Sequence, residues 1–200
     1  MSKVAIQGNA SGTGTFTIAA PNSNTDRTLT LPDEAGTVLT SASDIPSSQI
    51  TGSLGITEAD YYHLPANVTT TTNPLTTWAR QTSFGTGMTY SSGIFTFPST
   101  GYWLIEVTAT HRSVSTGTNE LDIQVATDGV SFTTKSRALL ELNATGGQGD
   151  VTTSARYLFD VTDTSTHKAK TTFYRTSTSS IVFGNTVGAT TLTFTRLGDT

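Results

Sequence analysis

Between residues 93 and 107 the chain reads GIFTFPSTGYWLIEV, and its apolar side chains fall on alternate positions: Trp103, Ile105 and Val107 share one parity. A period of two is the spacing of a half-buried strand and is incompatible with a helical stripe. The same alternation returns in Leu121, Ile123 and Val125 and in Tyr157 and Phe159. Threonine supplies about a fifth of the residues, which favours strands and turns and leaves helices few good formers.

The spacing predicts eight strands, over 75–84, 93–97, 101–111, 120–127, 130–142, 151–161, 168–176 and 190–197. Gly, Ser and Asn separate them, and Asp128-Gly129 is a hairpin signal. The expected fold class is therefore all-β, a sandwich or jelly roll. Gly93, Pro98 and Gly101 mark a corner, because proline cannot donate to a central ladder, so the chain is expected to change sheets between IFTF and YWLIEV.

The first 74 residues have a different texture. Residues 1–40 carry short alternating pieces with Phe16, Ile18, Leu29 and Leu31 as apolar pairs, read as a segment of loose β-repeats. Residues 41–74 read as an extended connector, in which Thr57 and Asp60 cap a short helical turn that stops before Pro65. A piece with so few apolar groups needs partners to fold. With an apolar fraction of only 34%, the chain as a whole argues against a single deep core, and copies from other chains are the available partners.

Charge and composition exclude several classes. The net charge is −4 and the 11 Lys and Arg are scattered, which gives no basic stripe for nucleic acid. No apolar run approaches a membrane span, the N-terminus lacks the apolar region of a secretory signal, and there is no cysteine. Glu120, Asp122, Asp128, Glu141, Asp150, Asp160 and Asp163 show neither a calcium-loop pattern nor a glycosidase motif and read as solvated turn carboxylates. His63, His111 and His167 are isolated and read as surface residues. No serine elbow or phosphate loop occurs, so no catalytic residue, metal or cofactor is expected. Most aromatics read as packing residues, with Tyr90 and Phe183, beside turns, the exceptions that could stack on sugars.

Gly93, Phe95, Pro98, Gly101, Trp103 and Ile105 form a pattern that resembles the signature of C1q and tumour-necrosis-factor-like jelly rolls, and LTFTRLGD at 192–199 resembles the last strand of bacterial and phage members. Residues 12–40 resemble a module of bacteriophage tail-fibre proteins, and DIPSSQITGSLG resembles fibre connectors. These resemblances imply a homotrimer: an intertwined β-rich stalk, and a jelly-roll knob over 75–200 with Phe95, Trp103 and Phe194 in its core or along its axis. They imply a virion protein made in the host cytoplasm, docked by its N-terminus on another phage structural protein and binding a host glycan or protein through the knob. A head fibre or capsid decoration protein and a free lectin-like module remain alternatives. In that superfamily the first and last strands lie side by side, so strand parity sends 112–119, 143–150 and 177–189 to the end away from the stalk. The receptor-binding candidates there are Arg112, Thr116, Asn119, Asn143, Gln148, Phe183 and Asn185.

Overall fold

The structure is a computed structural model that describes residues 55–113, 115–142 and 149–200 and, nearer the N-terminus, 10–15, 17, 19, 22–26 and 28. Phe16, Ile18, Leu29, Leu31, Asn143 and Gln148 lie outside the described residues. The chain divides into two units, Met1–Asp44 and Ile45–Thr200. All the strands among the described residues belong to the second.

That unit holds β1 (Ala59–His63), β2 (Ala79–Phe84), β3 (Thr89–Ser91), β4 (Ile94–Thr96), β5 (Gly101–Ser113), β6 (Gly117–Ala126), β7 (Thr133–Leu142), β8 (Gly149–Val161), β9 (Lys168–Arg175), β10 (Ile181–Val182) and β11 (Thr191–Gly198). They form two antiparallel sheets. In the first, β8 pairs with β5, β5 with β11, β11 with β1 and β1 with β2, while the short β10 pairs with His111 and Arg112 of β5. The second runs β3-β4-β9-β6-β7. The two sheets stack as a jelly roll, a solution that buries one face of each.

The expected corner is present. Phe95 pairs within the second sheet and Trp103 within the first, and the chain crosses between them at Pro98. Gly101 sits at φ 135°, and a Cβ there would run into the carbonyl of Gly198 and the guanidinium of Arg196, so only glycine fits. The Trp103 indole donates to the Ser99 carbonyl at 3.2 Å, which supplies the acceptor a buried indole needs. Asp128 closes the β6–β7 hairpin by accepting from the backbone N–H groups of Val130 and Ser131.

Two expectations need correction. Residues 59–63 are not a helical turn but strand β1, paired with both β11 and β2, so the knob starts well before residue 75. The alternation was disguised because one inward position is charged: Asp60, Tyr62 and Leu64 all face the core. Second, the knob has a single continuous core closed within one chain, in which Phe95, Trp103, Phe194, Ile105, Leu121 and Ile123 are fully buried. The low apolar fraction misleads because strand alternation places nearly every large apolar group on the inner faces, each worth about 1.5 to 3 kcal/mol when buried. Rings interlock there: Phe95 lies 5.1 Å from Tyr62 and 4.8 Å from Phe194, centroid to centroid. Among the aromatics, Phe84, Tyr102 and Tyr174 are exposed in the single chain.

Candidate functional site

β1 pairs antiparallel with β11, Ala59 opposite Thr195, so the chain comes into the knob beside its own last strand. At this end the Arg196 N–H donates to the Glu58 carbonyl at 2.9 Å, and Arg196 Nε donates to the Thr100 carbonyl at 2.9 Å. The opposite end is built by the long pair β5–β8, which runs in register from Gly101 opposite Val161 to Ser113 opposite Gly149. β6 and β7 reach the same end, with Gly117 opposite Leu142.

There the described parts of the three loops meet. Arg112 holds Asp150 through two hydrogen bonds, Nε to Oδ1 at 2.6 Å and Nη2 to Oδ2 at 2.7 Å. Its guanidinium carbon lies 4.3 Å from the centroid of the Phe183 ring, a cation-π distance. Those hydrogen bonds hold the Asp150 carboxyl below the usual carboxylate range and raise the Arg112 guanidinium. Beside them Ser115 Oγ lies 2.6 Å from Ser177 Oγ and 2.8 Å from Ser179 Oγ, a triangle of hydroxyls joining two loops. The Thr118 N–H donates to Thr176 Oγ1 at 2.7 Å, and Arg175 Nη1 donates to the Ser180 carbonyl at 2.8 Å.

Of the predicted site residues, Arg112, Thr116 and Phe183 are at this end, while Asn185 is exposed on the flank, where its neighbours Gly184 and Gly188 lie against Ala66 and Tyr61. Asn119 is a correction. It is buried, and its amide donates to the Arg112 carbonyl at 3.2 Å and the Ile181 carbonyl at 3.4 Å, so it clamps the base of the loops and is not available to a ligand. Its parity with Leu121 and Ile123 is the signal that could have placed it inside. Ser115, Ser177, Ser179 and Asp150 were missed as members of the cluster, because hydroxyls 62 or more positions apart show no local pattern.

The histidine and carboxylate readings also change. His111 is fully buried directly beneath Arg112, with Nε2 3.0 Å from Thr153 Oγ1 and Nδ1 unpartnered among the described residues, and burial lowers its pKa to about 4. His167 is also buried, its ring stacked on Phe159 at 5.4 Å. Asp122 is not a solvated turn carboxylate but is buried and held by Arg137, Nε to Oδ1 at 2.7 Å, while Glu120 takes the same guanidinium at 2.9 Å. Glu120 and Asp122 are thus both tied to one arginine. Among the described residues no group of three or more His, Cys, Asp or Glu is placed to hold a metal, and no helix is long and apolar enough to cross a membrane. What the described part of the loop end offers is hydroxyls, a half-buried ring and a compensated charge pair on a rigid sandwich, a surface suited to recognition.

No family model matches the sequence, and no curated protein matches it either. By structure the chain is similar to Eiger TNF from S. frugiperda, with a TM-score of 0.55 at 11% identity, covering 74% of this chain and 96% of that one. It is likewise similar to murine APRIL at pH 5.0, with a TM-score of 0.54 at 13% identity, covering 70% and 98% of the two chains. At such identities the likeness speaks for fold alone. The knob of this protein is a jelly roll of the tumour-necrosis-factor-like type.

Proposed function

We propose that this chain is the structural subunit of a bacteriophage tail fibre: a homotrimer docked on the particle by its N-terminal segment, with the knob binding the host cell surface. The observation that carries the reading is the meeting of Arg112, Asp150, Ser115 and Phe183, from three separate segments, at the end of the knob opposite Glu58 and Arg196. A part that must attach at one end and touch a target at the other needs this polarity. Three copies would present nine loops together, and weak single contacts multiply when linked sites engage at once.

The trimer reading has its own support. On the outward face of the first sheet Phe84, Ala59, Thr195, Leu104 and Leu158 form one cross-strand row, and Phe84 and Leu158 are 60% and 53% exposed. Large apolar groups in a row on one sheet face mark a surface that another chain covers, and in this reading the neighbouring copies cover it. The test is competition: the purified protein, confirmed as a trimer by sedimentation equilibrium, should be retained on host cells and lower phage adsorption in proportion to its concentration. A monomer at micromolar concentration, or a protein that host cells do not retain, would overturn the reading.

A further inference from the structure

A second site lies on the flank of the knob, where β2 and β3 are the edge strands of the two sheets. Between them opens a cavity of about 400 Å³, within the range of about 300 to 1,000 Å³ typical of small-ligand pockets. Arg80, Thr86, Thr89, Met88, Tyr62 and Tyr90 line it.

Its walls are fixed before any ligand arrives. Arg80 Nε donates to Tyr62 Oη at 3.0 Å, and Nη2 donates to Tyr62 Oη at 2.7 Å and to Asp60 Oδ2 at 3.1 Å, with a further short contact to the Met88 carbonyl. Those bonds hold the guanidinium plane still. Nη1, with two N–H donors, has no partner among the described residues. Tyr90 is held equally firmly, its hydroxyl donating to the Leu75 carbonyl at 3.1 Å and one ring face stacked on Phe95 at 4.4 Å. Asp60 is 1% exposed, its Oδ1 has no partner among the described residues, and a Cβ on Gly87 of the cavity wall would lie 3.2 Å from it.

The lining chooses the ligand class. Rigid N–H donors, the Thr86 and Thr89 hydroxyls and the half-buried Tyr90 ring offer polar and apolar surface side by side, which matches the alternating hydroxyl and C–H faces of a sugar ring. The charge of Arg80 is already met by Asp60, so an added carboxylate would find no uncompensated cation. We propose that this cavity receives one neutral pyranose ring of a cell-surface glycan. The inference rests on the adhesive reading for the source of the sugar but names a site separate from the loop end.

Saturation-transfer NMR on the purified full chain tests it with methyl glycosides of glucose, galactose and mannose, and with glucuronate. At least one neutral glycoside should receive transfer. Thr89→Trp fills the cavity from an exposed strand position and should abolish that transfer with the melting temperature unchanged. Arg80→Lys, which keeps the charge facing Asp60 but removes the fork of donors, should weaken binding at least about tenfold. Silence from every neutral glycoside, transfer unaffected by Thr89→Trp, or preference for glucuronate would overturn the inference. Retention on host cells combined with silent glycosides sinks the cavity assignment alone. Transfer abolished by Thr89→Trp in a protein that host cells do not retain sinks the fibre reading alone.

Discussion

Arg112 and Asp150 face each other across β5 and β8 and join through two parallel hydrogen bonds of 2.6 and 2.7 Å, one strand position above the fully buried His111. The pair ties the rim of the loop end to the sheet that carries it, while Phe183 from a third segment lies against the guanidinium.

Because both members are solvent-exposed, Arg112→Ala should leave the melting temperature nearly unchanged. Its effect belongs to the rim: amide exchange should accelerate over 110–113 and 149–152 and around Phe183. Exchange that stays at the wild-type rate in all three segments would show that the pair orders nothing.

His111 makes the knob acid-sensitive in a defined window. Burial lowers its pKa from 6.5 to about 4, so the unfolded chain binds the proton first as pH falls. The stabilisation from keeping the ring neutral is fully present above pH 6.5 and is lost as pH drops through about 4, an effect of about 3 kcal/mol. Denaturant melts across that interval should show the slope, and His111→Gln should flatten it.

The corner glycine gives a sharp contrast. Gly101→Ala places a Cβ against the Gly198 carbonyl at φ 135° and should cost more than about 2 kcal/mol, because strain and overlap add. Gly198→Ala, with nothing within 4 Å of its Cβ, should cost little. Equal melting temperatures for the two variants would contradict this account.

For the assembly, Leu158→Asp puts a charge into the outward row opposite Leu104, away from the protomer's own core. Sedimentation should then find monomers with unchanged far-ultraviolet dichroism. A trimer that survives the substitution would move the subunit contact elsewhere.

Much of this fold is legible in the sequence because alternation does the sorting: Trp103, Ile105 and Val107, or Leu121, Ile123 and Val125, announce their strands and their inward faces together. Parity also brings the strand ends at Ser113, Gly117, Leu142 and Gly149 to one end without reference to any side chain. What stayed hidden depends on pairing across distance. Strand β1 shows a carboxylate where its alternation demands an apolar residue, and the Met88 N–H and Arg80, 28 and 20 positions on, make that carboxylate tolerable inside. β3 and β10, of three and two residues, are too short to display any period. His111 and Asn119 look like surface residues by type, yet both fall on inward positions of long strands.

The position of β11 between β5 and β1 carries a cost during synthesis. By strand pairing, β1 and β2 join the rest of their sheet through a segment that the ribosome makes more than 100 residues later. A nascent chain halted before Thr191 holds two unpaired seams and an open interior, so premature termination yields a target for proteases in place of a shortened building block.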